Sequence, residues 1–209
     1  RSRFKILDIG PAEGIITRAL KILGFDVWAL EHDLCSPERD KIAYYKDIKL
    51  KECQIEKGNF PFDDNYFDLV LSFGVMEHIE PPTVVFWQET MRILKQNGHI
   101  FIDNPQSMNL RKRIYMALGI NPNNEIPDWY NQKGIFTGHY REHTLSELKY
   151  CAQKTGLNVV LSGGFQYISY GYLADTRSKI KKIFIRLYML LCLISANLKD
   201  TVYVCCRKE

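Results

Sequence analysis

Three pieces of this sequence carry residue types and spacings that could do chemistry. The first is Asp8-Ile9-Gly10-Pro11-Ala12-Glu13-Gly14, a glycine-bearing turn between an apolar run and a helical pattern. Such a turn lets a ligand approach bare backbone, and the helix start beyond it offers unsatisfied N–H groups to an anion. The pyrophosphate pattern Gly-x-Gly-x-x-Gly fails here, because after Gly10 it needs glycine at 12 and 15, where the chain has Ala12 and Ile15. A phosphate loop ending in Gly-Lys-Ser/Thr is also absent. Glu31 closes a second apolar run about twenty residues after the loop, where an acidic side chain can accept both hydroxyls of a ribose. Asp47-Ile48 closes a third run, and an acidic group there could take an adenine amino group. Together these describe a nucleoside pocket without a pyrophosphate site.

The elements that must position these residues alternate. Strand-like runs at Phe4–Ile9, Val27–Leu30, Ile42–Ile48, Phe67–Phe73, His99–Asp103, Asn158–Leu161 and Thr201–Cys206 are separated by helical patterns. The helix over Gly14–Leu23 carries Ile15, Ala19, Leu20 and Leu23 on one side. That over Pro82–Lys95 carries Val85, Phe86, Met91 and Leu94, and Asn97-Gly98 reads as its stop. Thr144 and Glu147 form a capping-box pattern for a helix reaching Thr155. Short apolar strands alternating with helices imply a mostly parallel sheet covered on both faces, α/β and doubly wound. Two stretches break the alternation. Pro105–Gly138 reads as a long lid or binding loop holding a basic cluster, Arg111 to Arg113, with Trp129 and Tyr130. Ser178–Leu198 has helical apolar spacing at Ile180, Ile183, Phe184, Leu187, Leu191 and Ile194, with Lys179, Lys181, Lys182 and Arg186 crowding its first half.

Composition narrows the partners. Against 24 acidic residues stand 28 Lys and Arg, a formal charge of +4, which is too mild to argue for nucleic acid. The six cysteines include no Cys-x-x-Cys pair, so a reduced, cytoplasmic setting is expected rather than a disulfide or zinc framework. His139 and His143 are four apart, a metal-binding spacing on a helix. The pair straddles a helix start and lacks a third ligand, so no metal is expected. The longest uncharged apolar run of the basic helix, Leu187–Ala196, is too short to span a bilayer. That leaves packing on the domain or a homodimer partner, a peripheral membrane contact through 178–198 at the inner face, or a lid. The chain opens without Met and without a signal-peptide pattern, and reads as a trimmed length of a longer protein.

Taken in order, these segments resemble the class I S-adenosylmethionine-dependent methyltransferase family. Leu7–Gly14 is similar to the family's first motif, departing at Ala12, where glycine is common. Phe60–Asp64 followed by Tyr66–Val70 resembles the approach to the fourth strand, and Val75-Met76-Glu77-His78-Ile79 the stretch after it. Ile93-Leu94-Lys95 with Gly98, and His139–Thr144, resemble the turn before strand five and the start of the next helix. The resemblance implies a Rossmann-like doubly wound seven-stranded sheet, mostly parallel with an antiparallel last strand. It implies one domain over 1–209, a lid or substrate segment at 105–143 and a helical insertion at 165–199.

The resemblance also implies S-adenosyl-L-methionine as cofactor. Asp8, Gly10, Ala12 and Gly14 would surround its methionine end, Glu31 would hold the ribose diol, Asp47 and Ile48 would flank adenine, and Phe73 and Gly74 would sit near its amino group. For the acceptor, His78 and His143 are the candidate general bases, with Tyr140, Arg141 and His139 as candidate acceptor contacts. Asn104–Arg111, with Arg113 and Gly119, is similar to methyltransferases of cell-envelope glycan and small-molecule pathways, so the expected acceptor is the O or N nucleophile of a small molecule. Ser72-Phe73-Gly74-Val75 stands where an Asn-Pro-Pro-aromatic motif would have pointed to RNA. The rival readings are a non-catalytic S-adenosylmethionine-binding interaction protein and an NAD-dependent oxidoreductase.

Overall fold

The computed structural model describes residues 4–32, 48–122, 130–131, 138–167 and 175–209. Among them seven strands form one sheet: β1 (Lys5–Ile9), β2 (Asp26–His32), β3 (Lys49–Cys53), β4 (Phe67–Ser72), β5 (Leu94–Pro105), β6 (Leu157–Phe165) and β7 (Thr201–Lys208). The spatial order is β3-β2-β1-β4-β5-β7-β6. Strands β3 to β5 across that order pair in parallel, and β7 runs antiparallel to both β5 and β6. This is the Rossmann-like sheet with an antiparallel last strand. The helices are α1 (Ile15–Ile22), α2 (Val84–Ile93), α3 (Leu110–Ala117), α4 (Leu145–Lys154) and α5 (Lys179–Cys192).

Central strands are buried on both faces, which is why β1 and β4 read as nearly continuous apolar runs. Ile6, Leu7, Ile9, Val70, Ile100 and Ile102 form the middle of the core, and Phe86, Trp87 and Ile93 of α2 close one side of it. Each such side chain contributes about 1.5–3 kcal/mol on burial. The inner face of α2 is Phe86, Trp87, Thr90 and Ile93; of the expected Val85, Phe86, Met91 and Leu94, Phe86 and Leu94 are fully buried, Leu94 at the start of β5, while Val85 and Met91 are half-buried. Helix α4 has its capping box intact, with the Thr144 side chain and Glu147 exchanging bonds with each other's backbone.

Four expectations are corrected. The third described strand is Lys49–Cys53, which hydrophobic pattern reading missed, while residues 42–47 of the expected Ile42–Ile48 lie outside the described residues; among the described residues β3 bonds β2 alone, so it tolerates Lys49, Lys51 and Glu52. Ile48 stands just ahead of β3 and is buried, while Asp47 lies outside the described residues. Second, Asn97-Gly98 does not stop α2, which ends at Ile93; the pair sits within β5, where the register to β4 shifts. Asn97 has φ +64° there, and a Cβ on Gly98 would stand 2.8 Å from the Lys95 carbonyl oxygen. Third, the stretch after β5 contains α3, capped by the Asn109 side chain on Lys112 N, and Lys112 is buried against Glu142 rather than displayed for a ligand. Trp129 of that stretch lies outside the described residues. Fourth, of the readings open for the basic helix, packing of its apolar face on the domain is not seen: in α5, Ile180, Ile183, Phe184, Leu187 and Leu191 are all exposed, and Cys192 is its buried residue.

Candidate active site

Strands β1, β2, β4 and β5 run parallel, so their carboxyl ends open on one edge of the sheet, where ligands of such folds bind. Gly10 follows β1 directly. Its φ is +63°, and a Cβ there would stand 2.6 Å from Cγ2 of Val75. The turn after β1 and the turn after β4 thus meet at bare glycine backbone. Gly10 N donates to the Leu30 carbonyl at 2.8 Å, tying the turn to β2. Ala12 and Gly14 also hold positive φ, +47° and +69°, so the chain coils back before entering α1. That helix begins without a side-chain cap and without an acidic residue in its first turn, which leaves its N–H groups and positive dipole end to whatever occupies the turn.

A cavity of about 380 Å³ opens there, lined by Asp8, Gly10, Pro11, Ala12, Glu13, Ile15, Ile16 and Phe73. Ile15 lines this cavity instead of packing on the sheet, and Leu23, also expected on the inner face of α1, is exposed as well. Asp8 is 3 % exposed and accepts from Thr17 Oγ1 at 2.5 Å. Burial pushes its pKa up to about 6; the Thr17 bond works against this, and the nearby Glu31 charge adds to it. Glu31 lies at the carboxyl end of β2, one register step beyond the Ile9–Leu30 pair, and accepts from His32 N at 2.9 Å.

A second group of polar side chains follows β4. Gly74, at φ +62°, donates its N–H to Asp103 Oδ1 at 2.7 Å. Met76–His78 is a single 3₁₀ turn. Glu77 in it is 3 % exposed and accepts from Asn104 Nδ2 at 2.9 Å, while Asn104 Oδ1 accepts from His143 N at 2.8 Å. The Glu77 carbonyl accepts from Tyr140 N at 2.7 Å, and His78 Nδ1 meets the Gly138 carbonyl at 3.1 Å. The segment before α4 is thereby hung on the turn after β4. Burial, with the charge of Asp103 adding, pushes Glu77 up to about 7, and burial alone carries Asp103 up to about 6 despite the Gly74 bond. Asp8, Asp103 and Glu77 therefore make one edge of the sheet poor in compensating positive charge, an environment suited to a cationic ligand.

The structure brings Asp8, Gly10, Ala12 and Phe73 to the cavity and puts Gly14 at the start of α1 behind it. His78, His139 and Tyr140 gather on the β4 side, where the two histidine rings meet edge to face at 4.8 Å. Arg141 pairs with Glu147 at 2.6 Å on the surface. His143 is 5 % exposed; burial lowers its pKa, and its Nδ1 has no hydrogen-bond partner among the described residues. Pattern reading did not single out Glu77, Asp103 and Asn104 as site residues. No local signal distinguishes a buried carboxylate from a solvated one, and only the resemblance to a family motif touched Glu77.

Residues 7–102 match a family model described as a methyltransferase domain. The sheet order and the antiparallel β7 agree with that match. The matched stretch, a little under half of the chain, is similar to methyltransferase domains. The chain is 29 % identical to a mitochondrial ubiquinone biosynthesis O-methyltransferase of Mus musculus over 130 residues, which are 57 % of this chain and 32 % of the relative. The chain thus spans about a third of the length of that curated relative. An S-adenosylmethionine-dependent methyltransferase of Archaeoglobus fulgidus superposes with a TM-score of 0.63 at 17 % identity, covering 99 % of this chain and 87 % of the other. One from Mesorhizobium loti gives 0.62 at 16 % identity, covering 99 % and 91 %. The 1,6-didemethyltoxoflavin-N1-methyltransferase of Burkholderia thailandensis, with bound S-adenosylhomocysteine, gives 0.55 at 15 % identity, covering 98 % and 70 %. At these identities the structural matches speak for the fold.

Proposed function

We propose that this chain transfers the methyl group of S-adenosylmethionine to an oxygen or nitrogen nucleophile of a small molecule. The observation that carries the reading is the cavity at the Gly10–Gly14 turn, walled by the buried, proton-hungry Asp8 and opening on the uncapped start of α1. Those features fit the methionine end of the cofactor, which carries a cation and a carboxylate. Asp8 and the left-handed backbone at Gly10 and Ala12 bind that end, with Gly14 opening the helix behind it. Glu31 takes the ribose diol, Ile48 flanks adenine, and Phe73 and Gly74 close the cofactor's other side. When bound, S-adenosylmethionine supplies a methyl group on a sulfonium, already a good leaving group. The chain's own work is then to place the acceptor in line, worth on the order of 7–11 kcal/mol at best, and to accept its proton.

Of the two candidate bases, His78 is the better placed. It is exposed, and its Nδ1 is engaged by the Gly138 carbonyl, which orients Nε2. His143 is better suited to holding the segment 138–143 against Asn104. Tyr140, His139 and Arg141 frame the acceptor side. We read 1–209 as one methyltransferase domain, with 105–143 as its acceptor segment and 165–199 as an insertion. The acceptor class favoured by the sequence around Asn104–Arg111 is a sugar or other cell-envelope precursor. No helix among the described residues is long and apolar enough to cross a membrane. The outward apolar stripe of α5, flanked by Lys179, Lys181, Lys182 and Arg186, supports a peripheral position on an anionic bilayer. Co-sedimentation with phosphatidylglycerol vesicles, abolished by Phe184→Asp with Leu187→Asp, is the expected result; equal recovery of variant and wild type in the pellet would remove it.

The central test is calorimetric titration with S-adenosylhomocysteine, with NAD as control. Saturable binding of the former alone is expected, and binding of NAD alone would return the chain to the oxidoreductase reading. Glu31→Ala should weaken S-adenosylhomocysteine at least tenfold, about 1.4 kcal/mol. The affinity should also follow the Asp8 proton. An acid raised to about 6 is mostly neutral at pH 5 and ionised at pH 7.5, and only the ionised form attracts an ammonium group. Affinity should therefore fall about tenfold on going from pH 7.5 to pH 5, and Asp8→Asn should flatten that profile. A profile unchanged in Asp8→Asn would assign the proton elsewhere.

A further inference from the structure

The group of side chains after β4 contains more than a frame for an acceptor. One potential ligand atom from each of Glu77, His78 and His139 lies within 4.8 Å of the others. The three come from two segments some sixty residues apart, brought together by the Tyr140 N–H bond to the Glu77 carbonyl and by His78 on Gly138. We propose that Glu77, His78 and His139 bind a first-row divalent cation whose open positions take an oxygen of the acceptor. The cation-binding half stands on these residues alone; the acceptor half rests on the methyltransferase reading.

Four observations support it. The donor set is two imidazoles and one carboxylate, which suits zinc and its first-row neighbours and leaves positions open for an exogenous ligand. Each donor is also held by a further group. His78 Nδ1 faces the Gly138 carbonyl at 3.1 Å, His139 Nδ1 faces Glu142 Oε1 at 3.1 Å, and Glu77 Oε2 accepts from Asn104 at 2.9 Å. An imidazole whose Nδ1–H donates to an oxygen presents a lone pair at Nε2, the usual way a metal-binding histidine is oriented. Glu142 is held in turn by buried Lys112, so the support of His139 reaches back to α3.

Third, the local charge calls for a cation. Glu77 is buried, Asp103 beside Asn104 in β5 is half-buried, and the side chain that donates to Glu77 is a neutral amide. Lys112, the buried cation of the neighbourhood, is paired with Glu142. Fourth, the group adjoins the cofactor cavity: Phe73 lines that cavity, and Val75 packs on Gly10. Ligand atoms on one tetrahedral ion with bonds of about 2.0–2.1 Å stand roughly 3.3 Å apart. Closure from the observed spread of up to 4.8 Å is a side-chain adjustment of about 1.5 Å, and exposed His78 can turn to make it.

The competing account is that the histidines merely stack edge to face and Glu77 merely staples the loop. Titrating the full chain with Co²⁺ and following the visible spectrum separates the two. The expected result is one Co²⁺ per chain, with nitrogen and oxygen ligands and no thiolate charge-transfer band. His78→Gln and His139→Gln should each weaken it at least tenfold while keeping the wild-type circular dichroism spectrum. Cys205→Ser with Cys206→Ser should leave it unchanged. Acetohydroxamate, an oxygen chelator, should shift the bands of the wild-type complex by entering the open positions. No saturable Co²⁺ binding, a thiolate spectrum, or binding indifferent to both histidine variants would overturn the site. S-adenosylhomocysteine titrated into the same preparation keeps the questions apart. Its binding without Co²⁺ binding defeats the cation site and spares the methyltransferase reading; the converse defeats that reading and spares the site.

Discussion

Replacing Asn104 by leucine should cost about 3–5 kcal/mol, although the two side chains are close in size. Asn104 is fully buried, and both ends of its amide are used: Nδ2 donates to the Glu77 carboxylate and Oδ1 accepts from His143 N. Leucine leaves a buried carboxylate oxygen and a buried N–H without partners, each costing about 1–3 kcal/mol and the charged group more. For a chain of this length that is a fall in Tm on the order of 10 °C. The loss should also grow with pH. Glu77 already binds its proton up to about pH 7, and its neutral form needs the Asn104 donor less than its ionised form does. The variant should therefore be further below wild type at pH 8 than at pH 6. Thermal melts of both proteins at the two pH values decide it, and a variant within 1 °C of wild type at pH 8 would show that the amide supports nothing. The same substitution frees the segment 138–143, so acceptor-side function should fall with it.

Gly10→Ala should be nearly as severe, for a different reason. The glycine sits at φ +63°, where an L side chain costs about 1–2 kcal/mol. Its Cβ would also stand 2.6 Å from Val75 Cγ2, a branched side chain held in the core, and overpacking of that kind costs about 1–3 kcal/mol. The sum is about 2–5 kcal/mol in urea unfolding. Relief of the contact must push Val75 away and with it the turn that carries Phe73 and Glu77, so S-adenosylhomocysteine affinity should drop more than stability alone explains. Adding Val75→Ala should recover the clash but not the backbone strain. Ala12 provides the opposite sign. It already holds φ +47° with a side chain present, so Ala12→Gly should relieve strain while giving up some unfolded-state restriction, and leave stability level or slightly raised. If Gly10→Ala unfolds at the wild-type urea midpoint, the close approach of the two turns is not a constraint on this fold.

Both predictions concern contacts of the turn after β4, the first with β5 and the segment before α4 and the second with the turn after β1, and the two turns differed in how readable they were. The first was legible because its chemistry is local. A strand, a glycine turn and a helix start follow one another within eleven residues, and the missing second and third glycines exclude a pyrophosphate from pattern alone. The capping box at Thr144 was legible for the same reason, since Thr144 and Glu147 are one helical turn apart. The second turn was not. Glu77, Asn104, Gly138 and His143 are separated by tens of residues, and whether a carboxylate there is solvated or buried depends on what packs over it.

The sequence by itself determined the α/β alternation and the doubly wound class, and the antiparallel close through β7 was expected only from the family resemblance. The alternation follows from periodicity along short stretches of chain, where the physics of a buried strand or a capped helix acts on neighbours. Tertiary structure alone decided four further things. The outer strand is the charged Lys49–Cys53, because a strand with one bonded neighbour need not be apolar. Lys112 is a buried strut and not a displayed cation, because Glu142 arrives from thirty residues away to meet it. The apolar stripe of α5 faces outward, because helical spacing specifies a face but not which side the rest of the chain covers. Glu77, His78 and His139 converge because parallel strands bring all their carboxyl ends to one edge, a proximity that sequence separation does not encode.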